Sequence, residues 1–117
     1  MDIQAHLRYL PISPQKVRLV IDLVRGKDVV EAMEMLRFVP KRAARPVRKL
    51  LASAVANAEE NFGVSRDDLY IAQIYANEGP TRRWRRFGAR GRFKPILRRS
   101  SHVTVVLRER EEASRRT

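Results

Sequence analysis

The chain contains no cysteine, which excludes disulfides, thiolate zinc sites and cysteine nucleophiles and fits a reducing compartment. Histidine occurs only at His6 and His102, each inside an expected strand and neither near a cysteine or carboxylate at ligand spacing. No metal site or catalytic triad is expected from them. Nowhere do about 18 apolar residues run together, so no membrane-spanning helix is expected. The opening Met1-Asp-Ile-Gln-Ala-His6 lacks a basic segment followed by an apolar one, so no signal peptide is expected either. Gly88-Ala-Arg-Gly91 lacks the ending of a phosphate-binding loop. The adjacent acids Glu59-Glu60 and Asp67-Asp68 point different ways on regular structure and suit caps or solubility better than acid-base chemistry. Neither an enzyme nor a cofactor is expected.

Negative charge is scarce. Among 117 residues, Lys and Arg number 25 against 13 Asp and Glu, a net charge of +12. Such a fold repels itself unless a polyanion neutralises it, and nucleic acid is the natural candidate. An anionic membrane surface is the alternative that composition leaves open. The length suits one domain with one small core.

Hydrophobic spacing orders the chain into an α+β domain over residues 1–109. Gln4 to Leu10 alternates Ala5, Leu7 and Tyr9 against Gln4, His6 and Arg8, the period of a half-buried strand. Ser13-Pro14 is a helix start, Val17, Val20, Ile21 and Val24 share a helical face, and Gly26 is placed to end a helix over 14–25. Asp28 with Glu31 matches a capping box before Ala32, Met35 and Leu36. From Pro40, a longer helical face of Ala43, Ala44, Val47, Leu50, Leu51, Ala54, Val55 and Ala58 runs to Phe62-Gly63. Leu69 to Asn77, with Leu69, Ile71 and Tyr75 on alternate sites, and His102 to Arg108, with Val103, Val105 and Leu107, are two further strands able to pair. The expected fold is three helices packed on a small three-stranded antiparallel sheet. Residues 110–117 show no apolar period and are expected to be a disordered tail.

Residues 79–101 separate those two strands, far more than the few residues of an ordinary hairpin loop. They carry Arg82, Arg83, Arg85, Arg86, Arg90, Arg92, Lys94, Arg98 and Arg99, and no Asp or Glu falls between Glu78 and Glu109. Trp84, Phe87, Phe93, Ile96 and Leu97 are interleaved with them. A solvated basic loop would waste these aromatic and aliphatic side chains, so the segment is expected to be a β-hairpin, 78–101, projecting on the order of 30 Å if each arm has roughly eleven residues. Arginine grips phosphate in pairs and stacks on bases, both of which RNA recognition uses. Two further cationic patches are expected on helices. Lys41, Arg45, Arg48 and Lys49 recur three or four positions apart, and Lys16, Arg18 and Arg25 lie on the first helix with Asp22 available to Arg18 or Arg25.

Ser13-Pro-Gln-Lys-Val-Arg18 and Leu23-Val-Arg-Gly-Lys27 are followed in order by Lys41-Arg-Ala-Ala44, Ser53-Ala-Val-Ala-Asn-Ala58, Asn61, Glu78-Gly-Pro80, Ala89-Arg-Gly-Arg92 and Ser101-His-Val-Thr-Val-Val106. Over about residues 5 to 108 this series resembles the L twenty-two family of large-subunit ribosomal proteins. The resemblance implies a structural protein that binds large-subunit ribosomal RNA, contacts other large-subunit proteins and helps assembly. It implies a hairpin whose tip, Phe87, Gly88, Ala89, Arg90 and Gly91, lines the peptide exit tunnel and meets the nascent chain. Lys16, Arg18, Arg25, Lys41, Arg45, Trp84 and the hairpin cations are the expected RNA contacts, with no homo-oligomer, no membrane partner and a bacterial cytoplasm favoured over an organelle. The chain departs from the family pattern at Phe87-Gly88, where Pro-Arg is usual, and at Phe93-Lys-Pro95, where a small-acidic-basic run is commoner.

Two rivals make different demands. An architectural DNA-binding protein with a ribbon arm needs a dimerising apolar surface, and none is assignable. A membrane-active protein needs apolar and basic faces exposed together, whereas the apolar helix faces here are claimed by the core.

Overall fold

Val17, Val20, Ile21 and Val24 recur at helical spacing, and the computed structural model buries all four on α1, Pro14–Val24. The structure describes residues 2–80, 82–87 and 93–110, with backbone alone for 82–87 and 93–98. Pro14 sits in the first turn, where its missing N–H costs nothing. The Ser13 side chain makes no cap bond; the Lys16 and Val17 amides donate to the Ser13 backbone carbonyl at 3.1 Å. Arg25 is the C-cap, and Gly26 takes φ +80°, a left-handed conformation that glycine adopts without strain.

α2 spans Val29–Leu36 and buries Val29, Ala32 and Leu36. The expected capping box is absent: Asp28 makes no cap bond, because its carboxylate accepts a 2.7 Å bond from Arg110 Nε instead. Arg110, expected to open the tail, also donates its amide to Asp68 O at 2.7 Å and lies over the Tyr70 ring at 4.6 Å. The rest of the expected tail, 111–117, lies outside the described residues.

α3 spans Ala44–Phe62 and buries the whole expected face from Ala44 to Ala58. It begins four residues later than the expected start at Pro40. A helix from Pro40 would need an N–H at Pro46 to reach the Arg42 carbonyl, and proline has none. Pro46 is tolerated in the first turn, and residues 41–43 form the turn before it. Gly63 closes the helix at φ +64°.

A short 3-10 turn, Arg66–Asp68, leads to the sheet. β1 (Asp2–Leu10), β2 (Leu69–Glu78) and β5 (Ser101–Glu109) form an antiparallel sheet ordered β1-β5-β2. β5 is central, and Val103, Val105 and Leu107 are fully buried as expected. Bulges alter the two outer strands. Pairing of β1 slips between Leu7 and Leu10, with Tyr9 at φ +59°. Tyr9 is therefore 64% exposed and Leu10 is buried in its place. Pairing of β2 slips between Ile71 and Gln73, so Ile74 and Ala76 are buried and the expected core residue Tyr75 is 42% exposed. One inserted residue reverses every later side chain, because the strand period is two.

α1 lies against β2, α3 against β1 and β5, and α2 against α3, giving one core. β3 (Arg82–Phe87) and β4 (Phe93–Arg98) pair antiparallel as a separate ribbon. The radius of gyration is 17.7 Å, against about 13 Å for a compact chain of this length. The molecule is elongated, at 72 × 26 × 18 Å.

Candidate nucleic-acid interface

The ribbon grows out of the sheet at a tight crossing. Glu78 pairs with Ser101, the Gly79 amide donates to Ser100 O at 2.9 Å, and Ser100 Oγ donates to Pro80 O at 2.8 Å. A Cβ at Gly79 would stand 2.5 Å from Ser100 Oγ and 3.3 Å from the Ser100 carbonyl, so a larger residue would require the serine hydroxyl to turn away. Pairing resumes at Arg82 with Arg98.

Three elements meet beside this crossing. Lys16 from α1, Lys41 and Arg42 from the turn before α3, and Arg99 from the returning arm surround an open cleft of about 690 Å³ with Ser13, Pro11 and Ile12. A second cleft brings Arg42, Arg45 and Lys49 together with His6 and Pro46. Six exposed cations and no carboxylate line the two. Among the described residues none of the six pairs with an acid, whereas Arg25, Arg37, Arg66, Arg108 and Arg110 each have a carboxylate within 4 Å. Like charges held together without counterions favour an anion, and a string of phosphates satisfies several at once.

Arg42 links both clefts and was not among the expected contacts. A helix drawn from Pro40 puts it off the Lys41–Arg45 face, whereas the turn imposed by Pro46 brings it beside Lys41. Arg48, on the expected helical patch, is half-buried and lines neither cleft.

Arg18 and Arg25 are engaged within the fold. Arg18 Nη2 donates to Ala76 O, and Arg25 Nη2 to Ile74 O, both at 2.9 Å. Asp22 pairs with Arg25, at 2.6 Å. Together with Gly26 N to Ile71 O at 3.1 Å and Ile71 N to Lys27 O at 2.9 Å, these bonds occupy the free edge of β2, which would otherwise be open to another strand. A guanidinium has five donors, so each retains some that point elsewhere.

The ribbon register sets Arg82 opposite Arg98 and Arg86 opposite Lys94. Directly opposed like charges destabilise a strand pair, and a two-stranded ribbon alone is marginal in water. Arg83, Trp84, Arg85 and Phe87 lie on β3, and Lys94 on β4. Gly88, Ala89, Arg90, Gly91 and Arg92 lie outside the described residues.

Residues 5–108 match the family model described as Ribosomal protein L22p/L17e. The chain belongs to this family. Family membership makes it a non-enzymatic, structural ribosomal protein. Among its relatives, the protein named large ribosomal subunit protein uL22 of Caldicellulosiruptor saccharolyticus is 59% identical over 107 residues, covering 92% of this chain and 88% of the relative. The proteins of the same name from Clostridium novyi and Thermoanaerobacter sp. strain X514 are 52% and 51% identical. Those alignments cover 94% and 95% of this chain, and 99% and 100% of the two relatives.

Proposed function

We propose that this protein is a structural constituent of the large ribosomal subunit that grips ribosomal RNA with the two basic clefts and the ribbon above them. In this reading residues 1–109 are one domain with its hairpin at 78–101. Lys16, Lys41, Arg42, Arg45 and Arg99 bind phosphates at the base, and Arg18 and Arg25 add their remaining donors. Trp84 and the cations Arg82, Arg83, Arg85, Arg86, Arg90, Arg92, Lys94 and Arg98 bind RNA along the arms, holding together a ribbon that is poorly stable alone. The tip, Phe87 to Gly91, lines the peptide exit tunnel and meets the nascent chain, and the protein contacts neighbouring ribosomal proteins during assembly. Its relatives are bacterial, which favours a bacterial cytoplasmic ribosome.

The observation that carries the reading is the six-cation, acid-free lining at the foot of a ribbon in which no carboxylate occurs. Binding to large-subunit RNA fragments across a salt series tests it, comparing the intact chain with one in which 82–99 is replaced by a short turn. The intact chain should bind particular fragments with a steep salt slope, since each phosphate neutralised contributes about 0.7–0.9 to it. The shortened chain should fold and show a flatter slope. Shallow binding, indifferent to RNA identity and to shortening, would refute the reading. Preference for duplex DNA or anionic vesicles would transfer it to one of the rivals.

A further inference from the structure

The end of the body farthest from the ribbon has a different surface. β2 runs ten residues from the 3-10 turn to the crossing at Glu78, about 30 Å at roughly 3.3 Å per residue. At its distal end α2 and the 3-10 turn form a groove lined by Val30, Met35, Phe38, Asp28, Glu31, Glu34, Arg66 and Asp67. Phe38 is 77% exposed, the most of any large hydrophobic residue among those described, and Val30 is 41% exposed. The lining holds four carboxylates and one guanidinium, and Lys27, Arg37 and Arg110 pair with three of those acids, so it is an acid-rich, internally paired surface on a protein of +12.

RNA is a poor occupant for such a groove. Its phosphates would face the carboxylates, and the cations that could attract them are already engaged: Arg37 with Glu34, Arg66 with Glu59, Lys27 with Glu31 and Arg110 with Asp28. Solvent-exposed pairs of this kind are worth about 0–1 kcal/mol each, so an incoming cation can exchange into them at little cost. An exposed phenylalanine ringed by polar groups is the usual form of a protein-binding anchor.

We propose that the α2 groove docks a basic protein segment, one that sets an apolar side chain against Phe38 and Val30 and places Lys or Arg against Glu31, Glu34 and Asp67. The proposal rests on the ribosomal reading and divides the body into an RNA-binding end beside the ribbon and a protein-binding end 30 Å away, the length estimated above for β2. The test uses the full chain assembled into large subunits. A photoreactive benzoylphenylalanine replaces Phe38 in one preparation and Arg42 in another, and the attached molecules are identified by mass spectrometry. Phe38 should attach mainly to a protein peptide carrying Lys or Arg, and Glu31→Lys with Glu34→Lys should cut that yield several-fold. Attachment of Phe38 mainly to RNA, to an acidic peptide or to nothing would overturn the docking proposal. The Arg42 preparation separates the two readings: attachment to RNA there leaves the ribosomal reading standing whatever Phe38 does, and failure there removes both.

Discussion

The body and the ribbon of this protein obtain their order from opposite sources. The body buries residues from every helix and sheet strand in one apolar cluster, with Leu51, Ile71 and Leu107 fully buried, and burying such a side chain contributes about 1.5–3 kcal/mol. The ribbon has six paired positions, two of them with cations on both strands, and a two-stranded ribbon alone is marginal in water. Internal burial holds the first; in the proposed function RNA holds the second. A fold can therefore carry a segment that is unfavourable alone, provided its base is anchored. Here the anchor is the crossing of Gly79 and Ser100.

The largest expected effect attacks the body's half of the contrast. Leu51→Ala or Leu107→Ala should lower unfolding stability by about 2–5 kcal/mol, the range for emptying a buried leucine site, as measured by urea denaturation. Replacing 82–99 by a short turn should leave the same unfolding midpoint nearly unchanged. A comparable loss on shortening would mean that the ribbon contributes to the core.

This contrast also explains what the sequence discloses. The faces of α1 and α3 and the inward residues of β5 follow from spacing alone because nothing interrupts their periods. Tyr9 and Tyr75 mislead because Tyr9 lies within a bulge and Tyr75 follows one, and an alternating pattern contains no mark of the extra residue until the strands are paired. The capping box at Asp28 fails for a similar reason, since Arg110, 82 residues away in sequence, takes the carboxylate. Arg42 was legible in principle: Pro46 forbids a helix from Pro40, and the resulting turn places Arg42 beside Lys41. The joining of Lys16, Arg42 and Arg99 in one cleft was not, because it depends on how α1, the turn and the ribbon's foot pack.

A second effect sharpens the contrast from the RNA side. Lys41→Glu with Arg42→Glu touches no buried residue, and unfolding stability should stay within about 0.5 kcal/mol. RNA binding should weaken, and its salt slope should fall by about 1.4–1.8, the contribution of two phosphate contacts. An unchanged slope would place the RNA on another face. Arg18→Ala should behave differently, costing stability through the lost bond to Ala76 O as well as any RNA contact.

The anchor between the two regions is open to a smaller change. Gly79→Ala forces Ser100 Oγ to turn away and give up its bond to Pro80 O, and a neutral hydrogen bond is worth about 0.5–1.5 kcal/mol. The body's core should not register it. Amide exchange at 78, 79 and 99–101 should accelerate in the free protein, and Ser100→Ala alone should reproduce most of that acceleration by removing the same bond.

The smallest effect distinguishes the regions by acid. The Arg108 guanidinium hydrogen-bonds Asp2 at 2.6 Å and holds its carboxyl below the ordinary value, and Arg66 does the same for Glu59. A carboxyl depressed in the folded state stabilises the fold above its unfolded value and loses that contribution as pH falls through the folded one. The body should thus weaken modestly below about pH 4, near the unfolded carboxylate range, and Asp2→Asn should remove part of that dependence while lowering neutral-pH stability slightly. The ribbon has no carboxylate to titrate from Gly79 to Arg108. Its share of RNA binding, taken as the difference between intact and shortened chains, should therefore be the same at pH 5 and pH 7, and a fall in that difference at pH 5 would assign the contacts to groups elsewhere in the molecule.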